Sequence, residues 1–178
     1  MLVDCQQAFT SPIMQQIIRV ESGGNPYAIG VVGNSLQRQP RNESEAVATV
    51  KMLESKGFNY SISIGQVNKV HFSRLKWDVD LLKGFNNCHN IVAATNIFMN
   101  CRSKAVKAGY SVISDKITND GIKSTPSDIA ALSCYYSGDL KRGTALGYSA
   151  KVLRGISMPK VHGNSGVTAN FETLMMAE

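Results

Sequence analysis

The chain of 178 residues lacks long apolar runs, internal repeats, low-complexity tracts and dense blocks of one charge. No stretch is long enough to cross a membrane as a helix. The absence of repeats excludes a solenoid or an array. Its 19 lysines and arginines against 13 acids leave a net charge of +6, but they are spread along the chain, whereas nucleic-acid binders concentrate theirs. A diffuse basic surface fits an acidic polymer such as peptidoglycan as well as it fits nucleic acid. Cysteine is scarce, with only Cys5, Cys88, Cys101 and Cys134, and none of these forms a Cys-x-x-Cys pair. The three histidines, His71, His89 and His162, are scattered, so no zinc site and no other metal site is expected. The N-terminus has neither a basic start nor an apolar core: Met1 is followed closely by Asp4, Cys5, Gln6 and Gln7. The expectation is a mature segment of an exported protein with a new start methionine.

In an exported protein, four cysteines permit two disulfides, and three pairings are open, alongside four buried thiols. If Cys88 and Cys101 share one continuous helix, about 20 Å separates them. A disulfide needs about 4.4–6.8 Å between Cα atoms, so that pairing would require a helix break.

What is present is ordinary globular composition, 43% hydrophobic and 18% charged. Length and composition suit one domain with a sizeable core. Hydrophobic period and caps place a helix from Thr10 or Ser11 to Glu21, with Pro12 in its first turn and Gly23-Gly24 after it. An irregular connection runs from Asn25 to Arg41. A second helix starts at Asn42, with Glu45 completing a capping box, and ends at Gly57. Tyr60, Ile62 and Ile64 alternate with polar residues as a short extended segment that leads to Gln66 and Asn68. His71 to Gly84 reads as turns with a short helix around Trp77, a core residue with sugar stacking as its alternative role. A long helix covers Cys88 to Ala108, followed by a surface excursion to Ser124. Thr125-Pro126-Ser127-Asp128 is a strong start for a buried helix that stops at Gly138. A last helix runs from Thr144 to Arg154. The expected fold is mainly α, of the α+β kind: a helical single domain over 1–156 with a small extended element, and a weakly ordered tail over 157–178.

One acid stands out. Glu21 closes the apolar stripe Ile13, Met14, Ile17 and Ile18 at the C-terminal end of its helix. Apolar surroundings and the negative end of the helix dipole both favour the protonated carboxyl. A carboxyl protonated near neutral pH can serve as a general acid. The alternative is a helix-end glutamate that reaches out to water.

Four motifs follow in order: Glu21-Ser22-Gly23-Gly24-Asn25-Pro26-Tyr27-Ala28-Ile29, then Ser63-Ile64-Gly65-Gln66-Val67-Asn68, then Ala131-Leu132-Ser133-Cys134-Tyr135-Tyr136-Ser137-Gly138, and finally Gly147-Tyr148 with Val152-Leu153. Together they resemble the lysozyme-like lytic transglycosylases of the goose-type lysozyme superfamily, and most closely the small members attached to type IV secretion and conjugation systems. The chain departs from that family twice. The family's third motif usually reads Tyr-Asn where this chain has Tyr136, and its second motif usually opens with Gly where this chain has Ser63.

The resemblance implies cleavage of the β-1,4 bond between N-acetylmuramic acid and N-acetylglucosamine, closing a 1,6-anhydro ring on the muramic acid. Glu21 would be the acid and then the base. Tyr148 would hydrogen-bond it, and Ser22, Gln66, Asn68, Tyr135 and Tyr136 would contact substrate; the alternatives are that Gln66 and Asn68 cap the extended segment and that Tyr135 and Tyr148 pack in the core. The substrate's own hydroxyl is the nucleophile, so one carboxyl is enough, unlike the usual pair. Implied with this are no cofactor, a periplasmic location, peptidoglycan strands and type IV secretion components as partners, no nucleic acid and no membrane span. A hydrolytic lysozyme and a non-catalytic glycan-binding scaffold are the alternatives.

Overall fold

The computed structural model describes residues 4–113 and 124–154. The tail expected over 157–178 lies outside the described residues. Helices dominate, with one small antiparallel sheet. The described residues fall into two compact units, one of residues 4–9 and 21–94, the other of residues 10–20, 95–113 and 124–154.

The first unit holds α1 (Cys5–Thr10) up to Phe9, β1 (Ile29–Val31), α3 (Glu43–Ser55), β2 (Tyr60–Ile62), β3 (Val67–Asn68), a 3-10 turn at Lys69–His71, α4 (Phe72–Leu75), α5 (Leu82–Phe85) and the start of α6 (Asn87–Lys107). The strand order is β1-β2-β3, with Ile29 opposite Ile62 and Ile62 opposite Val67. Aromatic edge-to-face packing fills the space beneath. Phe72 stands 5.9 Å from Tyr60 and 5.5 Å from Trp77, centroid to centroid. Trp77 is only 3% exposed, so it is a core residue and its sugar-stacking alternative falls away. Gly84 is required beside it: a Cβ there would lie 2.6 Å from Ile62 Cδ1 and 3.0 Å from the indole.

The α3 start matches the expectation in part. Asn42 accepts from the Glu45 amide at 2.9 Å. Glu45 does not return the bond to Asn42; its carboxylate accepts from the Arg41 amide at 3.1 Å and pairs with Arg38. Strand β1 was not expected. The side-chain amide of Gln39 supplies what a neighbouring strand would, accepting from Ile29 N at 2.7 Å and donating to Ile29 O at 3.0 Å. It thereby covers the outer edge of the sheet.

The second unit contains most of α2 (Pro12–Glu21), the rest of α6, α7 (Pro126–Ser137), α8 (Arg142–Ala145) and α9 (Tyr148–Arg154). Helix α7 starts with a complete capping box between Thr125 and Asp128, and Arg102 Nε donates to Asp128 Oδ1 at 2.7 Å. Ala130, Ala131, Leu132, Ser133 and Cys134 are all buried, as the apolar run predicts, but Tyr136 near the helix end is exposed. The single last helix expected from Thr144 is instead two, because Gly147 takes φ 80° and breaks it.

Two disulfides are present, Cys5–Cys88 within the first unit and Cys101–Cys134 within the second, with Cα separations of 5.3 and 5.6 Å. Cys88 and Cys101 do share the continuous α6, and they do not pair. The free-thiol alternative is overturned.

Candidate active site

The seven residues singled out in the sequence divide between the units. Glu21, Ser22, Gln66 and Asn68 lie in the first, and Tyr135, Tyr136 and Tyr148 in the second.

Glu21 is the last residue of α2 and is half-buried, one turn beyond Ile17 and Ile18, which are buried outright. Gly23 and Gly24 follow at φ 63° and 84°, so the chain turns away at once and leaves the carboxyl at the helix end. Ser22 fixes this corner to the second motif. Its hydroxyl donates to Ile64 O at 2.8 Å and accepts from Gly24 N at 3.1 Å. Motifs 42 residues apart in sequence are thereby joined beside Glu21.

The second motif is a tight, polar-bonded turn between β2 and β3. Gln66 adopts φ 47°, and its amide nitrogen donates to Ala28 O at 3.0 Å and Ser63 O at 2.9 Å. Its Oε1 lies against Gly30, where a Cβ would stand 2.6 Å away. Gln66 is thus a turn-closing residue. Asn68 is engaged more fully. Its amide nitrogen donates to Asn59 Oδ1 at 3.0 Å and Ser61 Oγ at 3.2 Å, while its Oδ1 accepts from Val70 N at 3.1 Å. It caps the turn that follows β3.

Asn90 is the residue the motifs did not point to. It is fully buried on α6. Its Oδ1 accepts from Gly65 N at 2.8 Å, and its Nδ2 donates to Ile62 O at 3.2 Å and Gly84 O at 2.9 Å. One amide thus holds the second motif and α5 to α6. The signal in the sequence is an asparagine directly before Ile91 and four residues before Ala94, on the apolar side of a long helix. Asn90→Ala leaves buried Gly65, Ile62 and Gly84 backbone groups without that partner. The expected cost is about 3 kcal/mol in urea denaturation.

Ser63, one of the two departures from the resembling family, carries a cost. It sits at φ 63° and is fully buried, and among the described residues its hydroxyl has no hydrogen-bond partner. Glycine would carry neither cost. Ser63→Gly is expected to stabilise the fold by about 1 kcal/mol, after the extra chain entropy of glycine is set against the gain. Chemical denaturation showing a loss instead would contradict this account of the turn.

In the second unit, serine hydroxyls tie the last helices to α7. Ser133 Oγ donates to Asp139 O and accepts from Gly143 N, each at 2.7 Å. A Cβ on Gly143 would come within 2.7 Å of Ser133 Cα. Ser149 Oγ donates to Ile129 O at 3.0 Å. Asp139 accepts from the Lys141 and Arg142 amides at 2.8 and 2.7 Å; the Arg142 bond first, then the Lys141 bond, holds its carboxyl below the usual range. These contacts place Tyr148 at the first position of α9. Its ring is buried and stacks on Tyr136, with centroids 4.6 Å apart and planes 18° from parallel. Tyr135 is half-buried beside them in sequence. Among the described residues, no three of His, Cys, Asp and Glu gather where they could hold a metal ion. No described helix is long and apolar enough to cross a membrane.

Curated relatives carry the type IV secretion part of the resemblance. The chain is 35% identical over 139 residues to the type IV secretion system protein VirB1 of Brucella abortus, Brucella melitensis and Brucella suis. The match covers 78% of this chain and 53% of each relative, so the chain spans about half the length of the proteins it matches. No family model matches the chain, and no solved structure does. The secretion-system relatives and the two disulfides fit an extracytoplasmic protein.

Proposed function

We propose that this chain, a relative of the VirB1 proteins of type IV secretion systems over 139 of its residues, is a peptidoglycan lytic transglycosylase. It would act in the periplasm, opening the wall locally for an envelope-spanning secretion or conjugation apparatus. The observation that carries the reading is the setting of Glu21. It is half-buried at a helix end behind an apolar stripe, and Ser22 ties that corner to the Ile64-Gly65-Gln66 turn.

Glu21 protonates the oxygen that leaves as the bond between muramic acid and glucosamine breaks. Its carboxylate then takes the proton from the C6 hydroxyl of the same muramic acid as that oxygen bonds to C1. The product is a 1,6-anhydro ring, no water is consumed, and the proton returns to Glu21. Sugar contacts are assigned to Ser22, Gln66 and Asn68 in the first unit and to Tyr135, Tyr136 and Tyr148 in the second. Gln66 spends its amide N–H groups on the Ala28 and Ser63 carbonyls, and Asn68 bonds the Asn59 and Ser61 side chains and the Val70 amide, so both act chiefly by holding the turn, with Gln66 Oε1 as the contact to an N-acetyl group. The net charge of +6 favours a wall polymer rich in peptide carboxylates.

Mass spectrometry of purified peptidoglycan after incubation with the protein tests this. Anhydro ends, lighter than hydrolysed ends by one water, are the expected products. Reducing ends would make the protein a hydrolase. Wall binding with no products would make it a scaffold.

A further inference from the structure

Tyr136 occupies the position where the resembling family usually carries asparagine, and the structure shows what the exchange creates. Tyr136 is 52% exposed, and no other Phe, Tyr or Trp among the described residues is exposed. One face of its ring is backed by Tyr148, which is itself 6% exposed, in a near-parallel stack. The ring therefore cannot collapse onto the surface, and its other face stays presented. Parallel stacking on a buried partner fixes the plane at little entropic cost, since tyrosine has only two side-chain torsions.

We propose that Tyr136 is a stacking platform for a hexopyranose ring of the glycan strand, a substrate contact made in place of the polar one an asparagine would offer. This rests on the function proposed above and names a specificity-determining residue for it. The chemistry favours this occupant. A β-1,4-linked sugar of the gluco series holds its ring substituents equatorial, so each face shows only axial C–H groups. Those carry slight positive charge and meet the negative face of the aromatic ring. A cationic ligand would also suit that face, but the chain's net charge of +6 repels one. A broad apolar partner is a poor match, because between residues 126 and 154 the only other large apolar side chain exposed is Leu146.

The test is NMR titration of the full chain with a soluble β-1,4-linked oligomer of N-acetylglucosamine, with muropeptide kinetics in parallel. The wild type and Tyr136→Phe are expected to bind, with the Tyr136 ring signals shifting in the wild type. Tyr136→Ala and Tyr136→Asn are expected to bind about 10-fold more weakly and to raise KM more than they lower kcat. Because Tyr136 is half-exposed, the Asn variant should keep the wild-type melting temperature. Unshifted Tyr136 signals at saturation, unchanged affinity in both polar and truncated variants, or no binding by the wild type would each overturn the proposal. Binding through Tyr136 without anhydro products would sink the transglycosylase reading and leave this one standing. Anhydro products with an unchanged KM in Tyr136→Ala would do the reverse.

Discussion

Glu21→Gln is expected to lower release of anhydro-muropeptides by about 1000-fold while leaving the fold intact. The substitution keeps the shape of the side chain and removes only its ability to give and take a proton. A half-buried helix-end position tolerates that change, so the melting temperature should stay close to that of the wild type. The size of the loss follows from the mechanism. In the proposed mechanism a single carboxyl does both proton transfers, so neither step has another protein group to fall back on. The acids around the motifs in sequence, Asp78, Asp80, Asp128 and Asp139, are each engaged, Asp128 with Arg102. Asp80 pairs with Lys83, Asp139 caps α8, and Asp78 bonds the Val79 amide. Rates within a few fold of wild type would remove Glu21 from the chemistry.

Loss of the Cys101–Cys134 disulfide is expected to destabilise the second unit by about 4 kcal/mol, which follows from a sequence separation of 33 residues. In a chain of this length that lowers the melting temperature by about 10 °C. The bond joins α6 to α7, and α7 is the helix on which Ser133 and Ile129 hold α8 and α9. Cys101→Ser with Cys134→Ser should therefore lose activity before the remaining helices melt, as Tyr136 and Tyr148 come apart. Differential scanning of the oxidised and doubly substituted chains checks the first part, and turnover below the transition checks the second. An unchanged melting temperature would mean that burial alone holds α7.

The elements legible in the sequence are those fixed by local signals. Helix α7 has its capping box, its Pro126 and its Gly138, and α6 has 21 residues of helical period. The elements that escaped depend on partners distant in the chain. Strand β1 is three residues long and exists through pairing with β2 and through the Gln39 amide. Helix α1 is only six residues, tied down by Cys5–Cys88 across a separation of 83. The break at Gly147 looked like part of a continuous helix because Leu146, Tyr148, Val152 and Leu153 keep the period across it.

The site shows the same division. The helix-end setting of Glu21 could be read because a carboxyl at the end of an apolar stripe is a local pattern. The capping role of Gln66 and Asn68 could be named only as an alternative, since an amide that contacts sugar and one that closes a turn have the same sequence. Asn90 was hidden because one polar residue in a long helix carries no sign of the backbone groups it satisfies on another segment.

The claim that one carboxyl performs the whole reaction, with the substrate as nucleophile, is tested most directly by digesting peptidoglycan in water enriched in heavy oxygen. The account predicts muropeptide ends that carry no label and are short by one water, formed by the wild type and absent with Glu21→Gln. Labelled reducing ends would show that water attacks the sugar, and would contradict it.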